Sequence, residues 1–331
     1  MRILLVASSS GGHVYIAKHF GEYLSKCNIE HSYLGIKGEI EENIFPKKNT
    51  YLFDIPKSFK KSFKEIRKLI KCRKDIKSIV KEYDVIIGFG GFITAVVSMF
   101  INNKKQLFYL HEANVDIGDS NRFCYHKAKR LFTSIQIPMK KNKITYVGNP
   151  VIYNIKKIKT NDKISFVFGS LGSKTLLDKT IEYINDSNEI KYKFMLITSD
   201  KYYEYTINKI KNKSNVEIRK YIDRDELYSS SKLIFCRGGA STLMEIIASK
   251  SNAVIVPSPY VKHNHQVKNT EYLYSKGIIE YVNEKDFDNE HINLMIDKLI
   301  NKNITMDNSE FKLNPEIEML QYILNDYVTR K

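Results

Sequence analysis

The sequence predicts an α/β protein of two doubly wound, Rossmann-like parallel-sheet domains facing a cleft. Three observations predict it. Short apolar runs alternate with longer segments of helical period along nearly the whole chain, and such alternation marks parallel strands joined by right-handed helical crossovers. The alternation breaks once, at Gly148-Asn149-Pro150 and the lysine-rich stretch 154–163, and then restarts. A chain of 331 residues is also long enough for two domains with a core each.

In the first half the candidate strands are Ile3–Ala7, His31–Gly35, Tyr51–Asp54, Val85–Gly88, Leu107–His111, Leu131–Thr133 and Thr145–Val147. Helical period places helices between them over Val14–Lys26, Phe59–Lys81, Phe92–Ile101 and Gly118–Lys127. The second half repeats the plan with strands Ile164–Phe168, Phe194–Thr198, Val216–Arg219, Leu233–Cys236 and Ala253–Val256. A last helix, Pro315–Tyr327, follows a polar stretch and is expected to pack back across the first domain. The expected division is therefore 1–150, 151–312 and 313–331.

Composition narrows the class. With 43% hydrophobic and 27% charged residues the chain reads as folded and globular. No apolar run reaches the roughly 18 residues that a spanning helix needs. Met1 leads straight into a strand and a glycine turn, which makes a poor signal peptide. The four cysteines (Cys27, Cys72, Cys124, Cys236) have neither zinc nor disulfide spacing, so free thiols in the cytoplasm are expected.

Half of the net charge of +16 lies between Lys57 and Glu82, where eleven Lys or Arg face three acids, a net +8. Phe59, Phe63, Ile66, Ile70, Ile76 and Ile79 recur within it at roughly helical spacing. A basic helix with an apolar face suits an anionic membrane surface; a solvated surface helix is the plainer reading. Nucleic acid is not an expected partner, because no binding module accompanies the charge.

The candidate chemistry sits in the turns that follow strands. Ser8-Ser9-Ser10-Gly11-Gly12-His13 follows the first strand. Its glycines let the backbone approach a ligand, and the helix behind it offers unpaired N–H groups to an anion. It is not the dinucleotide G-x-G-x-x-G, and no acid closes the next strand, so a nicotinamide cofactor is not expected. His13, at the helix start, is placed to act as a general base for a sugar hydroxyl. Gly88-Phe89-Gly90-Gly91-Phe92 is a second glycine turn, with room for a bulky ligand. His111-Glu112-Ala113-Asn114 could be half a metal site, but no third ligand has useful spacing. Glu112 and Asn114 read better as hydrogen-bond partners or loop anchors.

In the second half, Gly169-Ser170-Leu171-Gly172-Ser173 between strand and helix makes a plausible pyrophosphate cradle. Cys236-Arg237-Gly238-Gly239 opens a helix that carries Glu245, whose spacing suits two hydrogen bonds from a ribose diol. A charge complementing the helix dipole is the alternative role for Glu245. Gln266 and Asn269, three apart on a predicted helix, share a face that can address sugar hydroxyls. Together these turns suggest a nucleotide site without a P-loop.

Seven motifs in this order resemble the MurG family: S-S-G-G-H-V at 9–14, G-F-G-G-F at 88–92, L-H-E-A-N at 110–114, V-G-N-P-V at 147–151, G-S-L-G at 169–172, C-R-G-G-A-S-T-L-M-E at 236–245 and H-Q-V-K-N at 265–269. The resemblance covers nearly the whole chain. It implies the GT-B fold, no catalytic metal and no cofactor. It also implies inverting transfer of N-acetylglucosamine from UDP-N-acetylglucosamine to undecaprenyl-pyrophosphate-linked N-acetylmuramyl-pentapeptide, at the cytoplasmic face of the cell membrane. By that analogy His13 is the base or an acceptor-site residue, and Ser10, Gly11, Gly12, Gly90, Gly91 and Asn114 lie on the acceptor side. Ser170 and Gly172 fall at the diphosphate, Glu245 at the ribose, and Gln266 and Asn269 at the sugar, with Arg237 also on the donor side.

The sequence departs from the family pattern at Ser10, at Tyr15-Ile16, at Phe92 and at Ile152, where the family has an arginine at the diphosphate. Arg237, Lys174 or backbone donors would have to compensate. A diacylglycerol or exopolysaccharide transferase, or a UDP-sugar hydrolase or epimerase on the same fold, are the alternative readings.

Overall fold

The computed structural model describes residues 1–8, 10–57, 63–137, 142–150, 162–168, 173–187, 192–212, 214–300, 312 and 314–330. The chain divides into two compact units, Met1–Val151 with Phe311–Lys331, and Ile152–Glu310.

The first unit contains β1 (Ile3–Val6), α1 (Gly11–Lys26), β2 (His31–Ile36), α2 (Glu41–Ile44), β3 (Thr50–Phe53), α3 (Phe63–Lys81), β4 (Val85–Gly88), α4 (Phe92–Ser98), β5 (Leu107–Glu112), α5 (Asp119–Cys124), β6 (Arg130–Thr133) and β7 (Ile144–Tyr146). Its seven strands are all parallel, in the order β3-β2-β1-β4-β5-β6-β7. The order reverses between β1 and β4, and ligands of doubly wound sheets bind beyond the carboxyl ends of such strands. Every residue of β1 and β4 is buried, which is why both read as unbroken apolar runs rather than alternating ones.

α1 buries Val14, Ile16, Ala17, Phe20, Gly21 and Leu24, one stripe at helical spacing. α3 turns Ile76 and Val80 into the core, with Leu69, Cys72 and Ile79 packed against it. Its Ile66 and Ile70 do not follow: they are 38% and 65% exposed. Phe59, counted with them in the sequence, lies outside the described residues.

The second unit contains β8 (Lys163–Val167), α6 (Lys174–Asp186), β9 (Lys193–Ile197), α7 (Asp200–Lys209), β10 (Val216–Arg219), α8 (Arg224–Ser230), β11 (Ser231–Cys236), α9 (Ala240–Ser249), β12 (Ala253–Ile255), α10 (His265–Ser275), β13 (Glu280–Tyr281) and α11 (Asn289–Leu299). Six parallel strands run in the order β10-β9-β8-β11-β12-β13, with the reversal between β8 and β11. Phe166 and Phe235, from the two strands at that reversal, stack with ring centroids 4.8 Å apart in the core.

The final helix, α12 (Pro315–Arg330), belongs to the first unit. Met319, Leu320 and Ile323 are buried, and the Tyr322 ring lies 6.1 Å from that of Phe132 in β6. Asp326 accepts hydrogen bonds from Arg130 Nε (2.9 Å), Arg130 Nη2 (3.2 Å) and the Tyr109 hydroxyl (3.0 Å). Two helices are shorter than their periodicity suggests: α4 ends at Ser98 rather than Ile101, and α5 at Cys124 rather than Lys127. Among the described residues no helix is long and apolar enough to cross a membrane.

Candidate active site

In the first unit, β1 and β4 deliver the two glycine turns to the same edge. Ser10 is the N-cap of α1, and no acid occupies the first turn, so the positive end of the helix dipole is left for an anion. His13 lies in that first turn, its Nδ1 3.5 Å from the Ser8 carbonyl oxygen. Gly90 and Gly91 adopt φ of +111° and +81°, conformations that glycine reaches without penalty. A Cβ on Gly90 would lie 2.7 Å from His13 Nε2, and one on Gly91 would lie 2.7 Å from the Ser8 carbonyl oxygen. The two turns therefore interlock, and the second forms the wall against which the His13 ring rests. Two hydroxyls pin that wall: Thr94 donates to the Gly90 carbonyl (2.9 Å) and Ser120 to the Gly91 carbonyl (2.6 Å).

β5 ends in the third motif, and its Glu112 is the hub of the following loop. The buried carboxylate accepts from Asn114 N–H (3.1 Å), Asn114 Nδ2 (3.0 Å), Gly118 N–H (2.8 Å) and Asn121 Nδ2 (2.9 Å). Glu112 thus anchors the loop, and Asn114 is oriented by it. His111 is wholly buried, with Nε2 3.3 Å from Ser134 Oγ. Burial, reinforced by the nearby His13, pushes the His111 imidazole down to about 3, so it is neutral. Asn149, in the fourth motif, is also fully buried.

In the second unit the fifth motif, with Ser170 and Gly172, lies outside the described residues, as does Ile152. The helix behind it, α6, is capped by Ser173, whose Oγ accepts from the Leu176 N–H at 3.5 Å. Beyond β11, Gly238 is pressed against α10. A Cβ there would run into Thr270 Oγ1 and stand 2.9 Å from the Gln266 carbonyl oxygen.

Glu245 is the sixth residue of α9, past the first turn where a carboxylate gains from the dipole. Its side chain is only 19% exposed. Tyr228 donates its hydroxyl to Oε2 (3.0 Å) and Arg224 donates Nη1 to Oε1 (3.4 Å). Burial pushes the carboxyl up, while Arg224 and Tyr228 pull it back. The sequence reading missed both of these α8 residues, because their link to Glu245 is tertiary. The one available signal was their i, i+4 spacing, which puts them on one face of a helix.

The remaining donor-side candidates have partners within the fold. Arg237 Nη1 donates to Glu284 Oε2 (2.7 Å) and to the Val256 carbonyl (3.1 Å). Lys174 pairs with Asp178 at 2.7 Å and lies 4.9 Å above the Tyr205 ring. Both cations considered as substitutes for an arginine at Ile152 are thus engaged within the fold. The Gln266 side-chain carbonyl accepts the Ser258 N–H at 2.9 Å, and Asn269 has no exposed surface. Between them and β12, His263 and Asn264 both take left-handed backbone (φ 57° and 52°), a costly conformation for residues with a Cβ.

The glycosyltransferase family 28 N-terminal domain matches residues 3–133, and the C-terminal domain of the same family matches residues 163–319. The chain belongs to glycosyltransferase family 28. It is 28% identical to a protein of Leuconostoc mesenteroides over 91% of this chain and 90% of that one, and 29% identical to one of Lactococcus lactis over 92% and 91%. Both relatives bear the name UDP-N-acetylglucosamine--N-acetylmuramyl-(pentapeptide) pyrophosphoryl-undecaprenol N-acetylglucosamine transferase. The crystal structure of Acinetobacter baumannii MurG superposes with a TM-score of 0.78 at 20% identity, covering 98% of this chain and 99% of that one. The MurG resemblance read from the seven motifs is borne out, as is the fold of two Rossmann-like domains that it implied.

Proposed function

We propose that this protein transfers N-acetylglucosamine from UDP-N-acetylglucosamine to undecaprenyl-pyrophosphate-linked N-acetylmuramyl-pentapeptide, with inversion at the anomeric carbon. The observation that carries this reading is the near full-length match to relatives of that name, with the family's turns standing at the chain reversals of both sheets.

The second unit takes the donor. The Glu245 carboxylate accepts the ribose diol, and the N-terminus of α6, which follows residues 169–172 in the sequence, offers its first N–H groups to the diphosphate. With Arg237 and Lys174 held in ion pairs, backbone donors and the helix dipole carry most of the charge that develops on departing UDP. The first unit takes the acceptor, with Asn114 and the interlocked glycine turns shaping its pocket. In the reaction the acceptor hydroxyl oxygen forms a bond to the anomeric carbon and its proton passes to His13. The bond from the anomeric carbon to the diphosphate oxygen breaks, and its electron pair leaves with UDP. Holding both reactants in line supplies much of the rate.

An acceptor anchored in lipid calls for an enzyme that works at the cytoplasmic membrane face. α3 supports this, since its exposed Ile66 and Ile70 stand among lysines and arginines, a pattern suited to an anionic interface. Transfer assayed with the wild-type protein, His13→Ala and Glu245→Ala tests the assignment. His13→Ala should lower turnover on this acceptor by at least about a hundredfold, the scale of general-base loss, and Glu245→Ala should raise the KM for the donor by about tenfold or more, the worth of a lost charge-assisted hydrogen bond; full activity in both would overturn it.

A further inference from the structure

We propose that Arg224 and Tyr228 are positioning residues for donor binding, which aim the Glu245 carboxylate and keep it an anion ready for the ribose. The inference rests on the reading of Glu245 as the ribose acceptor.

The geometry supports a dedicated device. Arg224 and Tyr228 are one helical turn apart on α8, so both leave the same face. The start of that helix is fixed by Asp223, whose carboxylate accepts the Asp225 N–H at 2.8 Å. Tyr228 is 2% exposed, so its hydroxyl is held by packing and points at Glu245 Oε2. Arg224 approaches the other oxygen. A carboxylate offers about four lone-pair sites. Among the described residues one donor meets each oxygen, which leaves one site on each, and a vicinal diol needs two acceptors so arranged.

The charge argument points the same way. Glu245 lies on α9 with Arg224, Asp225 and Tyr228 facing it from α8 and Cys236 from β11. Burial is the largest influence and favours the neutral acid, and Asp225 adds to it. Cys236 is a neutral thiol, pushed up to about 12 by burial and by Glu245 itself. Of these groups, Arg224 and Tyr228 favour the anion. Without them a carboxyl this buried would bind a proton at higher pH, and a protonated carboxyl accepts the diol poorly.

Titration of UDP into the full-length protein, followed by calorimetry from about pH 6 to about pH 8.5, tests this. Arg224→Gln and Tyr228→Phe should each weaken UDP binding about tenfold at the acid end, the worth of one charge-assisted hydrogen bond. The penalty should shrink as pH rises, because the alkaline end ionises Glu245 without help. Arg224→Lys, which keeps the charge, should recover most of the loss. In a Glu245→Gln background neither substitution should change the affinity by more than about twofold, because interacting sites are non-additive.

A penalty that is equal at every pH, or that persists in the Glu245→Gln background, overturns the inference and leaves the donor site intact. UDP affinity unaffected by Glu245→Gln itself would instead overturn the ribose reading, and this inference with it. Far-UV circular dichroism of each variant confirms that the fold is retained, and the isosteric Tyr228→Phe keeps the test valid should the arginine variants unfold.

Discussion

Glu112 holds Asn114 by two bonds at once, taking its backbone N–H at 3.1 Å and its side-chain amide at 3.0 Å on the same carboxylate oxygen. The other oxygen takes Gly118 and Asn121. Asn114 is therefore held with its amide already oriented, and the loop that carries it has one electrostatic centre. Charge-assisted bonds of this kind are about twice as strong as neutral ones.

Glu112→Gln retains the shape but puts an NH2 where one oxygen accepted two donors, so whichever way the amide turns, two of the four bonds become clashes of donors. Turnover per acceptor concentration should fall by about tenfold or more, the scale of losing even one such bond. The KM for UDP-N-acetylglucosamine should not change. Steady-state kinetics with each substrate varied in turn separates the two effects.

Gly90→Ala should lower both stability and turnover. At φ +111° an alanine is strained by about 1–3 kcal/mol, and its methyl group would meet the His13 ring. Urea unfolding measures the first effect and the transfer assay the second. Gly38, also at positive φ but with open space around it, supplies the control: Gly38→Ala should cost stability without touching turnover.

Much of this was legible in the sequence, for a physical reason. Parallel strands buried on both faces have to be continuous apolar runs, so Ile3–Val6 and Val85–Gly88 could be placed within a residue. The glycine turns were visible because a close approach such as Gly90 against His13 leaves no alternative residue. What escaped was tertiary. Nothing local to Arg224 or Tyr228 reveals a carboxylate on the next helix. Nor does anything local show that Arg237 meets Glu284, 47 positions away. The two-residue strand β13 is too short to carry a period, and helical spacing counted Ile66 and Ile70 with Ile76 although only Ile76 reaches the core.

His111 predicts a pH dependence of stability. Its folded value is about 3 against an ordinary 6.5, so below about pH 6.5 the unfolded chain binds a proton that the folded one refuses. The folded state should lose up to about 1.4 kcal/mol per pH unit from this residue as pH falls from there toward 3. His111→Gln should flatten that slope in denaturant titrations between about pH 6.5 and pH 4, whatever it costs at neutral pH.

Asp326 ties α12 to the sheet of the first unit, and its side chain is 10% exposed. Burial pushes the carboxyl up, but the hydrogen bonds from Arg130 and Tyr109 outweigh it and hold it below the ordinary 3.8. A depressed carboxylate contributes its stability above the unfolded value and loses it as pH falls through the folded one. At neutral pH Asp326→Ala should therefore destabilise the first unit by about 3 kcal/mol, as expected when one partner of a largely buried pair is removed. The difference from wild type should narrow below about pH 3.8, where the wild-type bonds also weaken.

Product analysis tests the reaction most directly. Purified protein should be incubated with UDP-N-acetylglucosamine and either undecaprenyl-pyrophosphoryl-N-acetylmuramyl-pentapeptide or diacylglycerol, and the lipid products analysed by mass spectrometry and NMR. The account predicts one added N-acetylglucosamine on the muramyl lipid, in the β configuration that inversion of the α-linked donor gives, with UDP released in equal amount. Transfer only to diacylglycerol, or UDP release with no change to either lipid, would contradict it.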